Sequence, residues 1–128
     1  GRTMLTYAQK KYLFAIYRLG MNGPVISSSD VSRLVGVSKA STVKMTQRLS
    51  DEGYILKEPH GKISLTESGI KAASSLFTSS VILCDFLHKQ VGIDQQEADQ
   101  DAVKIVAQVS EKSVEKLVKF ALGDAANA

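Results

Sequence analysis

Apolar residues at Leu5, Ala8, Tyr12, Ile16 and Leu19 repeat at close to a helical period, and Phe14 and Tyr17 widen that face. A first helix is therefore expected from Leu5 to Leu19, touching more than one surface. Met21-Asn22-Gly23-Pro24 should end it, because glycine favours a helix C-cap and proline cannot extend the hydrogen-bond ladder. Any of Ser27, Ser28 or Ser29 can cap a short second helix whose buried face would be Val31, Leu34 and Val35, closed by Gly36. Ser38 then caps a helix from Lys39 to about Asp51. Its apolar positions are Ala40, Val43, Met45 and Leu49, leaving Ser41, Lys44, Gln47 and Arg48 partly outside.

The pattern changes after Gly53. Tyr54-Ile55-Leu56-Lys57 and Lys62-Ile63-Ser64-Leu65 are β-prone runs around the turn Glu58-Pro59-His60-Gly61, which predicts a two-stranded wing. Thr66 lacks an acidic partner three residues on, where Gly69 stands, although Glu67 suits a first helical turn. From Glu67 a helical pattern runs to about Gln90, with Ile70, Ala73, Leu76, Phe77, Val81, Leu83, Cys84, Leu87 and Val91 as its apolar set. Gly92-Ile93-Asp94 ends it. Two further helices are expected, Gln96–Val109 and one capped by Ser110 that runs through Leu122. The fold class is thus mainly α: a winged helix-turn-helix with a small two-stranded wing, then an α-helical dimerisation domain. The expected divisions are 4–72, 73–123 and a frayed tail at 124–128.

Charge sharpens this division. Residues 1–72 carry eleven Lys or Arg against five Asp or Glu, whereas residues 73–128 carry five against eight. A basic first part suits phosphates, and an acidic second part is repelled by them. At 44% hydrophobic and 23% charged residues, the composition is ordinary for a globular protein. Cys84 is the single cysteine, which excludes an internal disulfide and a cysteine-based zinc cluster. Neither a membrane span nor a secretory leader is expected, and a cytoplasmic location fits best. No glycine-rich phosphate loop or nucleophile–base pair stands out, and the expected role is not enzymatic.

A helix-turn-helix places the start of its second helix in the major groove, where side chains reach base edges. That segment here offers Ser38, Lys39, Ala40, Ser41 and Lys44. Serine can hydrogen-bond bases, Ala40 can meet a thymine methyl, and Lys44 can reach guanine or a phosphate. Lys39 and Arg48 suit the backbone, while His60 and Lys62 on the wing suit the minor groove or flanking phosphates. The competing interpretation is a winged helix used for protein contacts, a dimeric interaction protein that does not bind DNA. Helices with apolar faces attached to such a reader commonly dimerise it, and a homodimer would engage two half-sites of double-stranded DNA.

The segments Tyr12-Leu13, Ile16-Tyr17, Ile26-Ser27 and Val37-Ser38-Lys39-Ala40-Ser41-Thr42-Val43-Lys44-Met45 resemble those of the diphtheria-toxin repressor and manganese transport regulator family. So do Arg48-Leu49, Glu52-Gly53-Tyr54-Ile55, Gly61-Lys62-Ile63-Ser64-Leu65-Thr66 and Gly69, with looser agreement at Phe86-Leu87, Val91-Gly92-Ile93-Asp94, Asp101-Ala102, Ser110-Glu111 and Leu117. The likeness spans roughly residues 5–122, both family domains without the optional third. It implies a metal-dependent repressor, with a divalent ion bound between the first helix and the dimerisation helices. Carried over by position, the family's ligands fall on Lys11, Phe14, Ser80, Cys84, Asp99, Val103, Val106 and Ala107. Most of these cannot ligate Mn²⁺ or Fe²⁺, which prefer carboxylate and imidazole. The sequence therefore predicts a divergent member that needs no metal cofactor, its ligand positions turned over to apolar packing. The alternative is a relocated site for Mn, Fe or Zn near Cys84, His88 and Asp99. Cys84 and His88 are four apart on one helix, but a cysteine on an apolar helix face is more often a buried thiol.

Overall fold

A computed structural model describes residues 4–23 and 25–123. The tail at 124–128 and the helix stop at Pro24 lie outside the described residues. The chain divides into two compact units, Gly1–Ser74 and Ser75–Ala128.

In the first unit, α1 (Tyr7–Asn22) starts at Thr6, whose hydroxyl accepts from the Gln9 amide at 3.1 Å while the Gln9 side chain accepts from the Thr6 amide at 3.0 Å. This reciprocal pair satisfies two otherwise orphaned donors. The helix runs three residues past Leu19, so Met21 and Asn22 are helical and Gly23 is the cap. Tyr12, Leu13, Phe14, Ala15 and Ile16 are all buried, so the middle of the helix is covered on every side. Gln9 is also buried, and its Nε2 donates to Glu52 at 2.9 Å.

Helix α2 (Ser28–Val35) is capped by Ser27, which exchanges hydrogen bonds with Asp30, and closed by Gly36 in the left-handed region (φ 81°). Val31 is fully buried, but Leu34 is 50% exposed and does not belong to the buried face expected of it. Helix α3 (Lys39–Asp51) departs further from its apolar pattern. Its buried residues are Thr42, Thr46 and Leu49, with Met45 packed beside them, while Ala40 is exposed and Val43 is 49% exposed. Hydroxyl groups can be buried here because each has a partner. Thr42 Oγ1 meets Ser32 Oγ of α2 at 2.8 Å and donates to the Ser38 carbonyl at 3.1 Å, and Thr46 Oγ1 donates to the Thr42 carbonyl at 2.8 Å.

The wing carries one strand more than expected. Strands β1 (Ile26–Ser27), β2 (Ile55–Lys57) and β3 (Lys62–Leu65) form an antiparallel sheet in the order β1-β3-β2, with Ile26 opposite Ile63 and Ile55 opposite Leu65. A two-residue strand is too short to show alternation in sequence. It exists because β3 offers it a free edge. Leu13, Ile16, Val31, Leu49, Ile55 and Ile63 are fully buried together at the centre of this unit. Removing side chains of this size from water contributes about 1.5–3 kcal/mol each.

Helix α4 (Glu67–Phe86) begins in the first unit and ends in the second. Thr66 does cap it: the hydroxyl accepts from the Gly69 amide at 3.1 Å and donates to the Gly53 carbonyl. Gly69 is present for space, since a Cβ there would overlap the Tyr54 carbonyl oxygen. A π-helical turn, Leu87–Val91, follows, and the amides of Gly92 and Ile93 both close on the Leu87 carbonyl. Helices α5 (Gln95–Gln108) and α6 (Glu111–Ala121) complete the second unit, capped by Asp94 and Ser110. Their bounds lie within a residue of those expected. Leu83, Cys84, Ala98, Ala102, Val106 and Val114 form the core of this unit, and Phe86 meets Phe120 edge-on at 5.9 Å.

The stretch Glu67–Val91 is long and apolar enough to cross a membrane by length and composition, at mean hydropathy 1.4. Charges at Glu67, Lys71, Asp85 and Lys89 interrupt the stretch, and Leu83 and Cys84 sit in a helical core.

Candidate nucleic-acid interface

Helix α3 is held by its buried threonines and Leu49, and this fixes which side chains it leaves outside. Ser38, Lys39, Ala40, Ser41, Lys44 and Arg48 are all exposed. The turn from α2 into α3 is fixed by the Gly36 and Val37 amides, both donating to the Ser32 carbonyl at 2.9 and 3.1 Å. Ser38 Oγ accepts from the Ser41 amide at 3.1 Å and lies 3.0 Å from Ser41 Oγ. The cap thus orders both serines at the start of the helix, where a free hydroxyl is most useful. Arg48 is engaged within the protein, its Nε 3.0 Å from Glu52, the same carboxylate that accepts from Gln9. His60 and Lys62 are exposed at the turn and first strand position of the wing, whose tip is closed by the Gly61 amide donating to Glu58. Gln9, Thr42 and Thr46, which hold this surface in place, were not singled out from the sequence. The one available signal was that Thr42, Thr46 and Leu49 share a helical face.

The remaining positions of interest carry little chemistry for a metal. In the first unit, Lys11 is a cation stacked 5.2 Å from the Tyr7 ring centroid, and Phe14 is a buried ring with Arg18 5.9 Å from its centroid. In the second unit, Val106 and Ala107 are buried hydrocarbon, Val103 is half-buried, and the Ser80 hydroxyl donates to the Phe77 carbonyl at 2.7 Å. Asp99 is an exposed carboxylate. Cys84 is buried and accepts from Gln95 Nε2 at 3.3 Å. Burial above all, then the Asp99 and Asp85 charges, push its thiol up from the ordinary value against the opposing Gln95 hydrogen bond. A protonated thiol is a poor ligand. His88 has its Nδ1 2.8 Å from the Ile93 carbonyl, serving the π-helical turn. Among the described residues no group of three or more His, Cys, Asp or Glu side chains could hold a metal ion. This donor set does not fit Mn²⁺ or Fe²⁺.

Residues 4–63 match the model of the iron dependent repressor N-terminal DNA binding domain, and residues 66–123 match the metal binding and dimerisation domain of the same repressors. The chain belongs to the iron dependent repressor family. Family members are transcriptional regulators and not enzymes. An uncharacterised HTH-type transcriptional regulator of Methanocaldococcus jannaschii is 27% identical over 114 residues, covering 89% of this chain and 88% of that protein. The HTH-type transcriptional regulator MntR of Bacillus subtilis is 26% identical over 114 residues, covering 89% and 80%. In fold the chain is similar to a manganese-dependent transcriptional repressor solved in complex with manganese, with TM-score 0.78 at 23% identity over 91% of this chain. The match spans about 53% of that longer chain.

Proposed function

We propose that this protein is a sequence-specific DNA-binding repressor that acts as a homodimer on a palindromic operator, without the manganese or iron activation of its relatives. The observation that carries the reading is the contrast between two sets of positions. The outward face of α3 keeps Ser38 and Ser41 ordered and Lys44 exposed, while the family's ligand positions hold mostly hydrocarbon, with a cation, a protonated thiol, the Ser80 hydroxyl and a lone exposed carboxylate at Asp99.

In this reading the first turns of α3 enter the major groove. The Ser41 hydroxyl donates to a base edge, the Ala40 methyl packs on thymine, and Lys44 reaches guanine or a phosphate. Lys39, Arg48, His60 and Lys62 hold the flanking backbone, Arg48 by leaving Glu52. Exposed Leu117, Phe120 and Leu122 at the end of the chain's helical part supply apolar surface for a second copy. The protein works in the cytoplasm, with Glu67–Val91 serving the helical unit and not a bilayer; recovery in a washed membrane pellet would overturn that.

Selection of bound sequences from random DNA, with and without Mn²⁺, tests the whole reading. A palindrome with half-sites about one helical turn apart is expected, bound with a steep loss of affinity as salt rises. Added Mn²⁺ should leave the affinity unchanged. A gain of about tenfold, ~1.4 kcal/mol, would restore metal activation and point to a relocated site near Cys84 and His88. Absence of any salt-dependent DNA affinity would instead make the protein a dimeric interaction module.

A further inference from the structure

Between α1 and α3, within the first unit, lies a half-open groove of about 440 Å³. Tyr12, Val37 and Met45 give it apolar walls, and Lys11, Lys44 and Arg48 surround it with positive charge. Among the described residues none of those lining it is acidic. Among the described residues, Arg48 alone of the three cations is engaged by a carboxylate, Glu52. Lys11 instead stacks on Tyr7, a contact that positions its ammonium without neutralising it. The volume falls in the range of small-molecule sites, which combine apolar walls with a few convergent polar groups.

We infer that this groove binds a small organic anion, a carboxylate or phosphate attached to an apolar or aromatic body. The charge asks for an anion, since Lys11 and Lys44, neither of them engaged by a carboxylate among the described residues, raise the local concentration of negative ligands at the groove. The walls ask for more than an anion, because an inorganic ion would leave the half-buried Val37 and Met45 facing water. A DNA phosphate is met by cations projecting from a surface, and its sugar gains little from such walls. A small amphipathic anion uses both features at once.

The position has a consequence for regulation. Ser41, Lys44 and Arg48 line the groove and also belong to the surface assigned to DNA. A bound anion therefore occupies cations that DNA needs, and anion and operator exclude one another. The anion takes the part of an inducer in a chain whose metal positions no longer ligate. This consequence rests on the DNA-binding reading above, whereas occupancy of the groove does not.

The probes are 2-naphthoate, its neutral analogue 2-naphthamide, and inorganic phosphate, titrated into the DNA-free full chain and followed by backbone amide resonances. Saturable shifts with 2-naphthoate are expected at Ala8, Lys11, Val37, Ser41 and Met45. The amide and phosphate should each bind at least about tenfold more weakly, and Lys11→Met should weaken 2-naphthoate by a similar factor, as for loss of one charge-assisted contact. Equal binding of the amide, shifts concentrated in α5 and α6, or an unaffected Lys11→Met variant would overturn the site. Phosphate binding as tightly as 2-naphthoate would assign the groove to the nucleic-acid backbone and overturn it too. With operator in hand, 2-naphthoate should displace DNA from the wild type at concentrations that leave the Lys11→Met complex intact; simultaneous binding of both would refute the exclusion alone. The resonance shifts need no operator, so they decide occupancy of the groove even if the DNA-binding reading fails.

Discussion

Gly69 stands in the first turn of α4, where a helix-propensity argument favours alanine by about 0.5–1 kcal/mol. The structure predicts the opposite sign. A Cβ at this position would overlap the Tyr54 carbonyl oxygen and would sit 3.0 Å from its carbon and 3.1 Å from Leu65 Cδ2. Relief requires backbone movement, because two of these three atoms are main chain. That carbonyl accepts from the Thr66 amide at 3.1 Å, and Thr66 in turn caps α4 and ties it to Gly53. Overpacking costs about 1–3 kcal/mol and a lost hydrogen bond about 1 kcal/mol. Set against the propensity gain, Gly69→Ala should destabilise the protein by roughly 1–3 kcal/mol. Urea unfolding followed by far-UV circular dichroism measures this directly. Gly36→Ala is the control: its φ of 81° disfavours a side chain, but nothing lies within 4 Å of the added Cβ. It should cost about 1–2 kcal/mol from backbone strain alone. A Gly69→Ala protein as stable as the wild type, or more so, would refute the steric reasoning.

Two further outcomes follow from single side chains. Ser38→Ala removes the acceptor for the Ser41 amide and should cost about 1 kcal/mol in urea unfolding, whereas Ser38→Asp should restore the cap yet weaken operator binding by placing a carboxylate beside phosphates. Binding that tracks stability across both variants would show that Ser38 acts only as a cap. Cys84 has its thiol raised by burial first and by Asp99 and Asp85 next, so its protonated form is favoured in the folded state. The resulting stabilisation is complete below the ordinary thiol value and is lost as the pH rises from there through the raised, folded value. Stability compared with Cys84→Ala should therefore decline over that alkaline window, and iodoacetamide should label Cys84 at the rate of unfolding; rapid labelling of the native protein at neutral pH would contradict this.

The outward face of α3 shows how far the sequence carried. Ser38 was readable as a cap and Lys39–Asp51 as a helix, because capping and period are local. Which face turned inward was not. Val43 and Ala40 are more apolar than Thr42 and Thr46, and the pattern favoured them. Ser32 on α2 and the carbonyls of Ser38 and Thr42 decided otherwise, by giving the threonine hydroxyls partners in the core.

Elsewhere the same division holds. The sequence by itself determined the order of the six helices and the two wing strands, the wing turn, and the basic and acidic parts, since each is a property of residue types and their spacing. Only the tertiary structure decided that β1 exists, because a two-residue strand is defined by its partner and not by its own pattern. The same is true of Gly69, whose role depends on a carbonyl fifteen residues earlier in the chain. The groove between α1 and α3 belongs with these. Lys11 and Lys44 lie far apart in sequence, and only packing brings their charge to one cleft.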